Sequence, residues 1–268
     1  MPMIAARKLA QAISGNPTFR DLSGKLRGLK RSAAVSKLRD INSFERRVYS
    51  QGGEDGIIAE LFARIPHHGY SAEISVGDGL ECNSAYLIRH CGWKGLMVEG
   101  NPARFARLRA SYAALPVKCV DTFVDRENVA TILRDAGAPR DLDLLGIDID
   151  GNDYYIWEAL ADYAASVVVI EYISCFGPDV SKTIAYNPRH VWRNDNYLGA
   201  SLAALNKLGK RLGYALLGTN KRGLNAFFIR RDLLERSGFP EKTPQQAFHG
   251  QGIFDALSVR REGEFYFP

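Results

Sequence analysis

The chain has 268 residues, 46% hydrophobic and 24% charged, which fits one α/β domain with decorations or two small domains. No apolar run reaches the ~18 residues of a membrane-spanning helix, and only a short mixed stretch surrounds Arg7 and Lys8, so a cytoplasmic protein is expected. The net charge of +5 sits at one end: residues 1–40 hold nine Lys/Arg against two acids, leaving 26 against 28 in the rest, which argues against a nucleic-acid platform.

Residues 1–48 read as a basic helical extension, broken near Asn16-Pro17. Such an arm is a solvated or dimerising element, or one that can touch an anionic membrane. Cys82, Cys91, Cys119 and Cys175 form no CxxC pair, so neither a disulfide framework nor a cysteine zinc site is indicated. After Gly52-Gly53, the apolar residues Ile57, Ile58, Leu61, Phe62 and Ile65 recur at helical spacing.

From residue 70 strands and helices alternate. Strands are predicted at 72–76, 95–98, 117–120, 142–149 and 167–170, with helices at 83–90, 102–113, 127–135 and 153–163. Pro102 suits the first turn of its helix. Val167–Ile170 is an unbroken β-branched run, as expected of a strand buried on both faces. An irregular insert, 173–197, follows. A helix over 201–212 and strands at 214–217 and 225–229, joined by the short link 218–223, complete a hairpin on one sheet edge. The alternation predicts a doubly wound, mostly parallel sheet over residues 49–235, with a C-terminal tail, 236–268, packed on it.

Four strand ends carry acidic or glycine-rich motifs. Glu73-Ile74-Ser75-Val76-Gly77-Asp78-Gly79 lets backbone approach a ligand, with an acid nearby for a cationic or hydrogen-bonding group. It is not GxGxxG, which counts against a nicotinamide enzyme. Glu99 lies about 20 residues on, the spacing of a carboxylate that binds ribose hydroxyls. Asp148-Ile149-Asp150-Gly151-Asn152-Asp153 and Glu171-Tyr172 end the fourth and fifth strands. All point to the crevice at the carboxyl edge of the sheet. Asp148, Asp150 and Glu171 form an oxygen set suited to Mg²⁺ or Mn²⁺. Alternatively, Asp150-Gly151-Asn152 only turns the chain and Asp153 caps the next helix.

Several ordered segments resemble a bacterial branch of FkbM-like, class I S-adenosylmethionine (SAM)-dependent methyltransferases. They are Ser50–Ile58, Glu73–Ser84, Gly92–Asn101, Leu145–Tyr154, Val169–Tyr172, Gly199–Leu202 and Gly223–Phe228. The resemblance implies a Rossmann-like, seven-stranded fold, SAM as methyl donor, and O-methylation of a sugar, glycan or natural product. Carried over, Glu73, Ser75 and Gly77 would line the methionine portion and Glu99 would bind ribose. Asp121 and Thr122 would flank adenine, and Asp148 would lie near sulfonium and substrate. Gln51 and Glu54 would close over the cofactor or substrate, or else form a structural network at the helix start. Relatives usually carry glycine where this chain has Ser75, whose side chain can crowd the methionine end.

Transfer to a hydroxyl needs alignment and a destination for its proton. Asp148 and Glu171, with or without a cation, and His190 in the insert are the candidates; His249 is a second choice. Phe176, Tyr186, Trp192 and Tyr197, mixed with Arg189 and Arg193, suit a sugar-like substrate or a lid. The competing reading is a non-catalytic binding or scaffold protein that keeps the fold; retention of Glu99, Asp148, Asp150 and Glu171 argues against it.

Overall fold

The computed structural model describes residues 40–250 and 263–268, within the compact unit Asp40–Pro268. The helical extension expected over 1–48 therefore lies outside the described residues up to residue 39. Residues 40–48 are not an arm. Ile41–Phe44 is a 3-10 turn whose first residue is 1% exposed, and the Asp40 carboxylate accepts from Asn42 N at its start.

Five parallel strands form the centre: β1 Tyr70–Ile74, β2 Lys94–Glu99, β3 Val117–Asp121, β4 Leu144–Ile147 and β5 Val167–Glu171. A two-residue strand, β6 Thr183–Ile184, lies in the insert; β7 Tyr214–Thr219 and β8 Asn225–Arg230 form the expected antiparallel hairpin. The main sheet has the order β3-β2-β1-β4-β5-β8-β7. It is the Rossmann-like, mostly parallel, seven-stranded arrangement expected for a class I methyltransferase fold. The order reverses between β1 and β4, which opens a crevice at their carboxyl ends.

The helices that cover it are α1 Glu54–Arg64, α2 Ala85–Cys91, α3 Pro102–Tyr112, α4 Val129–Ala136, α5 Asp153–Ala159 and α6 Leu202–Arg211, followed by the short α7 Leu234–Ser237 and α8 Pro244–Ala247. Alternate side chains of each strand feed two cores. Ala72, Ile74, Leu96, Val98, Val168 and Ile170 pack with α5 and α6 residues such as Trp157 and Leu205. Met97, Val167 and Val169 pack on the other face with Ile57, Ile58 and Leu108. All residues of β5 are buried, as the β-branched run predicts.

Two strand ends fall short of their predicted limits, and both for a local reason. β1 stops at Ile74 because Ser75 adopts φ 64°, and the Ser75 and Val76 amides both turn to the Val98 carbonyl. β4 stops at Ile147 because the chain beyond it turns through Asp150, at φ 54°. Asp153 does not cap its helix in the ordinary sense. Its buried carboxylate reaches back to accept from Ile149 N at 2.8 Å and Gly151 N at 2.9 Å, which fixes the loop from 148 to 152.

The insert is tied to neighbouring segments. β6 pairs with the C-terminal β9, Phe265–Tyr266, in a small antiparallel sheet, and Thr183 bridges Ala200. The Tyr186 hydroxyl donates to Glu127, and the Tyr197 hydroxyl to the Glu264 carbonyl. Among the described residues, no helix is long and apolar enough to cross a membrane.

Candidate active site

Two cavities open along the carboxyl edge of the sheet. The larger, about 540 Å³, lies over β2 and β3 and is lined by Glu99, Asn101, Thr122, Phe123, Ile149 and His190, among others. The smaller, about 360 Å³, lies over β1, β4 and β5 and is lined by Gln51, Gly77, Arg107, Asp148 and Glu171, among others. Ser75, Arg104, Asp150 and Trp192 line both, so the two form one crevice.

The backbone along this crevice is unusual. Ser75, Asp150 and Asn194 are the non-glycine residues with positive φ among those described, and all three line it. Left-handed backbone costs an ordinary residue about 1–2 kcal/mol. Such conformations persist where the surroundings over-determine them, and they gather at functional sites.

Glu99 is 4% exposed. Its carboxylate accepts from Gly77 N at 2.8 Å and Asn101 N at 2.7 Å, tying the β1 loop to the β2 loop. A carboxylate has roughly four acceptor sites, so it retains capacity for hydroxyls in the larger cavity. Asn101 caps α3 through Ala103 N and Arg104 N, which orients that helix at the cavity wall.

Asp148, Asp150 and Glu171 each offer an oxygen within 4.8 Å of the others. Burial, reinforced by Asp150 and the neighbouring acids, holds the Asp148 carboxyl well above the carboxylate range. Burial, reinforced by Asp148, does the same to Glu171. Burial also raises Asp150, against the pull of Arg104. Asp153 behind the loop is pushed up to about 6 by burial, offset by its backbone hydrogen bonds. Glu171 is 6% exposed and its Oε2 accepts no hydrogen bond. A buried acceptor left open is costly unless something fills it. The donor set is all hard oxygen, which fits a divalent cation.

Not every residue singled out in the sequence lines the crevice. Glu73 does not: its carboxylate holds the start of α2, accepting from Asn83 N at 2.7 Å, Ser84 N at 2.9 Å and Ser84 Oγ at 2.5 Å. Its register partner is Gly146, where a Cβ would meet the Glu73 side chain at 2.7 Å. Glu54, fully buried, accepts from Gly52 N, Asn220 Nδ2 and Asn225 Nδ2, which is the structural network at the helix start. Asp121 is exposed at the end of β3 and contributes no crevice wall, whereas Thr122 does. His190 packs so closely on the Asp150-Gly151 turn that a Cβ on Gly151 would lie 2.3 Å from its ring. It faces the larger cavity rather than the one holding Asp148 and Glu171. His249 is engaged with the Thr219 hydroxyl, away from both cavities. Of the insert's aromatics only Trp192 lines the crevice.

Two charged wall residues, Arg104 and Arg107, carry no sequence motif. The arginines are three apart on α3, so they share a face. That spacing was the available signal.

No family model matches the chain. No curated protein matches it either. Solved structures that resemble it include the N-terminal domain of EvdMO1 with SAH and D-fucose, at 13% identity over 66% of this chain and 82% of that one, TM-score 0.43. Another is a TehB-like SAM-dependent methyltransferase from Corynebacterium glutamicum, at 15% identity over 80% and 100% of the two chains, TM-score 0.39. A third is magnesium protoporphyrin IX methyltransferase from Synechocystis with bound SAM, at 12% identity over 66% and 77%, TM-score 0.41. At these scores the likeness adds nothing to the strand order already described.

Proposed function

We propose that this chain is a SAM-dependent O-methyltransferase of the FkbM-like kind, acting on a hydroxyl of a sugar, glycan or natural product. The observation that carries the reading is the meeting of Glu99, the Ser75–Gly77 loop and Asp148 along one crevice, at the point where the strand order reverses.

Glu99 would hold the ribose of the donor, and Thr122 and Phe123 its base, in the larger cavity. Ser75 and Gly77 would hold its methionine portion. When bound, the donor supplies a methyl group made electrophilic by its sulfonium. The chain's own task is to align an acceptor oxygen with that carbon and to take up the hydroxyl proton. The donor would keep the carbon–sulfur electron pair and leave as a neutral thioether. Asp148 takes the proton. The ionised form of Asp148 does this, and burial makes that form a stronger base than an exposed aspartate. His190, reached from the larger cavity, is the second acceptor. Trp192 offers a face for a sugar ring.

Asp148, Asp150 and Glu171 would hold Mg²⁺ or Mn²⁺, with the open Glu171 oxygen supporting the fit. The cation would supply positive charge beside the acceptor oxygen and lower its pKa.

Calorimetry with S-adenosylhomocysteine (SAH) tests the donor site. Absence of binding by folded protein would leave the scaffold reading in its place. Transfer of a labelled methyl group, with and without EDTA, tests the metal: full turnover by metal-free protein removes it.

A further inference from the structure

Resting on the methyltransferase reading, we infer that the acceptor is an acidic molecule, a sugar or sugar-like compound bearing a carboxylate or phosphate, and that Arg104 and Arg107 receive its anionic group. The two arginines stand on one face of α3 and line the smaller cavity together with the acidic cluster. Arginines that bond to lining residues are committed. Arg47 pairs with Glu81 at 2.7 Å, and Arg222 donates to the Gln51 carbonyl. Arg104 and Arg107 are different. Among the described residues, neither guanidinium makes an ion pair, a hydrogen bond or a ring contact. The charge of Arg104 acts on Asp150, lowering its pKa against the effect of burial, but the carboxylate does not pair with it.

Two like charges three residues apart on a helix repel. An anion between them removes that repulsion, and guanidinium forks match the planar oxygens of carboxylate and phosphate. Asp78, Asp148, Asp150 and Glu171 line the same cavity, and their carboxyl groups suit a hydroxyl rather than an anion. The cavity therefore offers both a cationic helix face and an oxygen-rich cluster. An acceptor with both a hydroxyl and an acidic group satisfies both. A neutral sugar leaves the arginines unanswered.

One rival anion is present in the donor, whose methionine carries a carboxylate. The test separates the two. Binding of D-glucuronate, D-glucose 6-phosphate and neutral D-glucose is measured by calorimetry or ligand-observed NMR, with SAH saturating, on wild type and on the Arg104→Gln/Arg107→Gln double variant. Both positions are exposed, so the fold should persist, which thermal melting checks. The expected result is that either acidic sugar binds wild type about 10-fold or more tighter than glucose, a modest gain for a charge-assisted fork. The preference should vanish in the double variant, fall with added salt, and leave SAH affinity within about twofold. Equal binding of acidic and neutral sugars by wild type overturns the inference. So does a double variant that keeps the preference. A double variant that loses affinity for SAH but not for 5′-methylthioadenosine, which lacks the carboxylate, assigns the pair to the donor and also overturns it. Failure of wild type to bind SAH at all counts against the methyltransferase reading instead; the sugar comparison on free protein then decides the anion site separately.

Discussion

Glu171→Gln should make the metal-free protein more stable, although it alters a buried residue at the centre of the site. Three carboxylates lie within 4.8 Å of one another, and at that separation one charged pair repels by about 3 kcal/mol at an effective dielectric of ~20. Burial and this repulsion raise the Glu171 and Asp148 pKa values in the folded protein above their unfolded values. The folded state then holds protons that the unfolded chain has released, so stability is lost as pH rises from the ordinary carboxylate range through the raised values. The glutamine removes one member of the pair. At pH 8 in EDTA the gain should be about 2–3 kcal/mol, or about 4–12 °C in melting temperature for a domain of this size. Below about pH 3 the gain should disappear, because both carboxyls are then protonated in either state. Mg²⁺ or Mn²⁺ should stabilise wild type, by about 2.7 kcal/mol at 100 times its dissociation constant, and should leave the variant unmoved. Thermal melts across pH, with and without cation, read all of this. A variant that melts lower than wild type at pH 8 in EDTA would refute the repulsion argument. An unchanged cation response would remove Glu171 from the ligand set.

Glu99→Ala should weaken SAH binding by about 1.5–3 kcal/mol in calorimetry, the range for hydrogen bonds to a charged group; an unchanged constant removes Glu99 from the ribose role. Ser75→Gly should raise stability in urea titrations by about 1 kcal/mol, because φ 64° is strained for serine and free for glycine. If SAH affinity rises as well, the serine side chain crowds the donor; if only stability changes, it does not. Glu54→Ala should cost about 2–4 kcal/mol in the same titrations, since it strands buried Asn220 and Asn225 donors. Its expected signature is unfolding at lower urea with SAH affinity retained, and the reverse pattern would return Glu54 to the binding site.

The fold was legible because its signals are local. β-branched runs and Pro102 at a helix start are set by nearest neighbours, and the strands of the main sheet lie within a few residues of their expected places. The placement of Glu99, Asp148, Asp150 and Glu171 in one crevice was legible too, since parallel strands send their carboxyl ends to one edge. What the sequence could not show is how each acid spends its lone pairs. Glu73 and Glu54 sit in motifs as suggestive as Glu99, yet their acceptors are consumed by Ser84 and by Asn220 and Asn225, residues whose approach only the folded chain determines. Asp153 is similar: its position before a helix suggests a cap, and its carboxylate turns back to the preceding loop. Arg104 and Arg107 gave no motif because their meaning depends on the absence of a partner.

The small β6–β9 sheet bears on how the protein should be handled. The chain's last residues clasp the segment that carries Trp192 and His190, and the Pro268 carbonyl accepts from Ser181 Oγ and Lys207 Nζ. An affinity tag fused after Pro268, or a truncation before Glu264, would loosen one wall of the crevice and leave the seven-stranded sheet intact. On the proposed reading, such a protein would melt almost normally and bind acceptor more weakly.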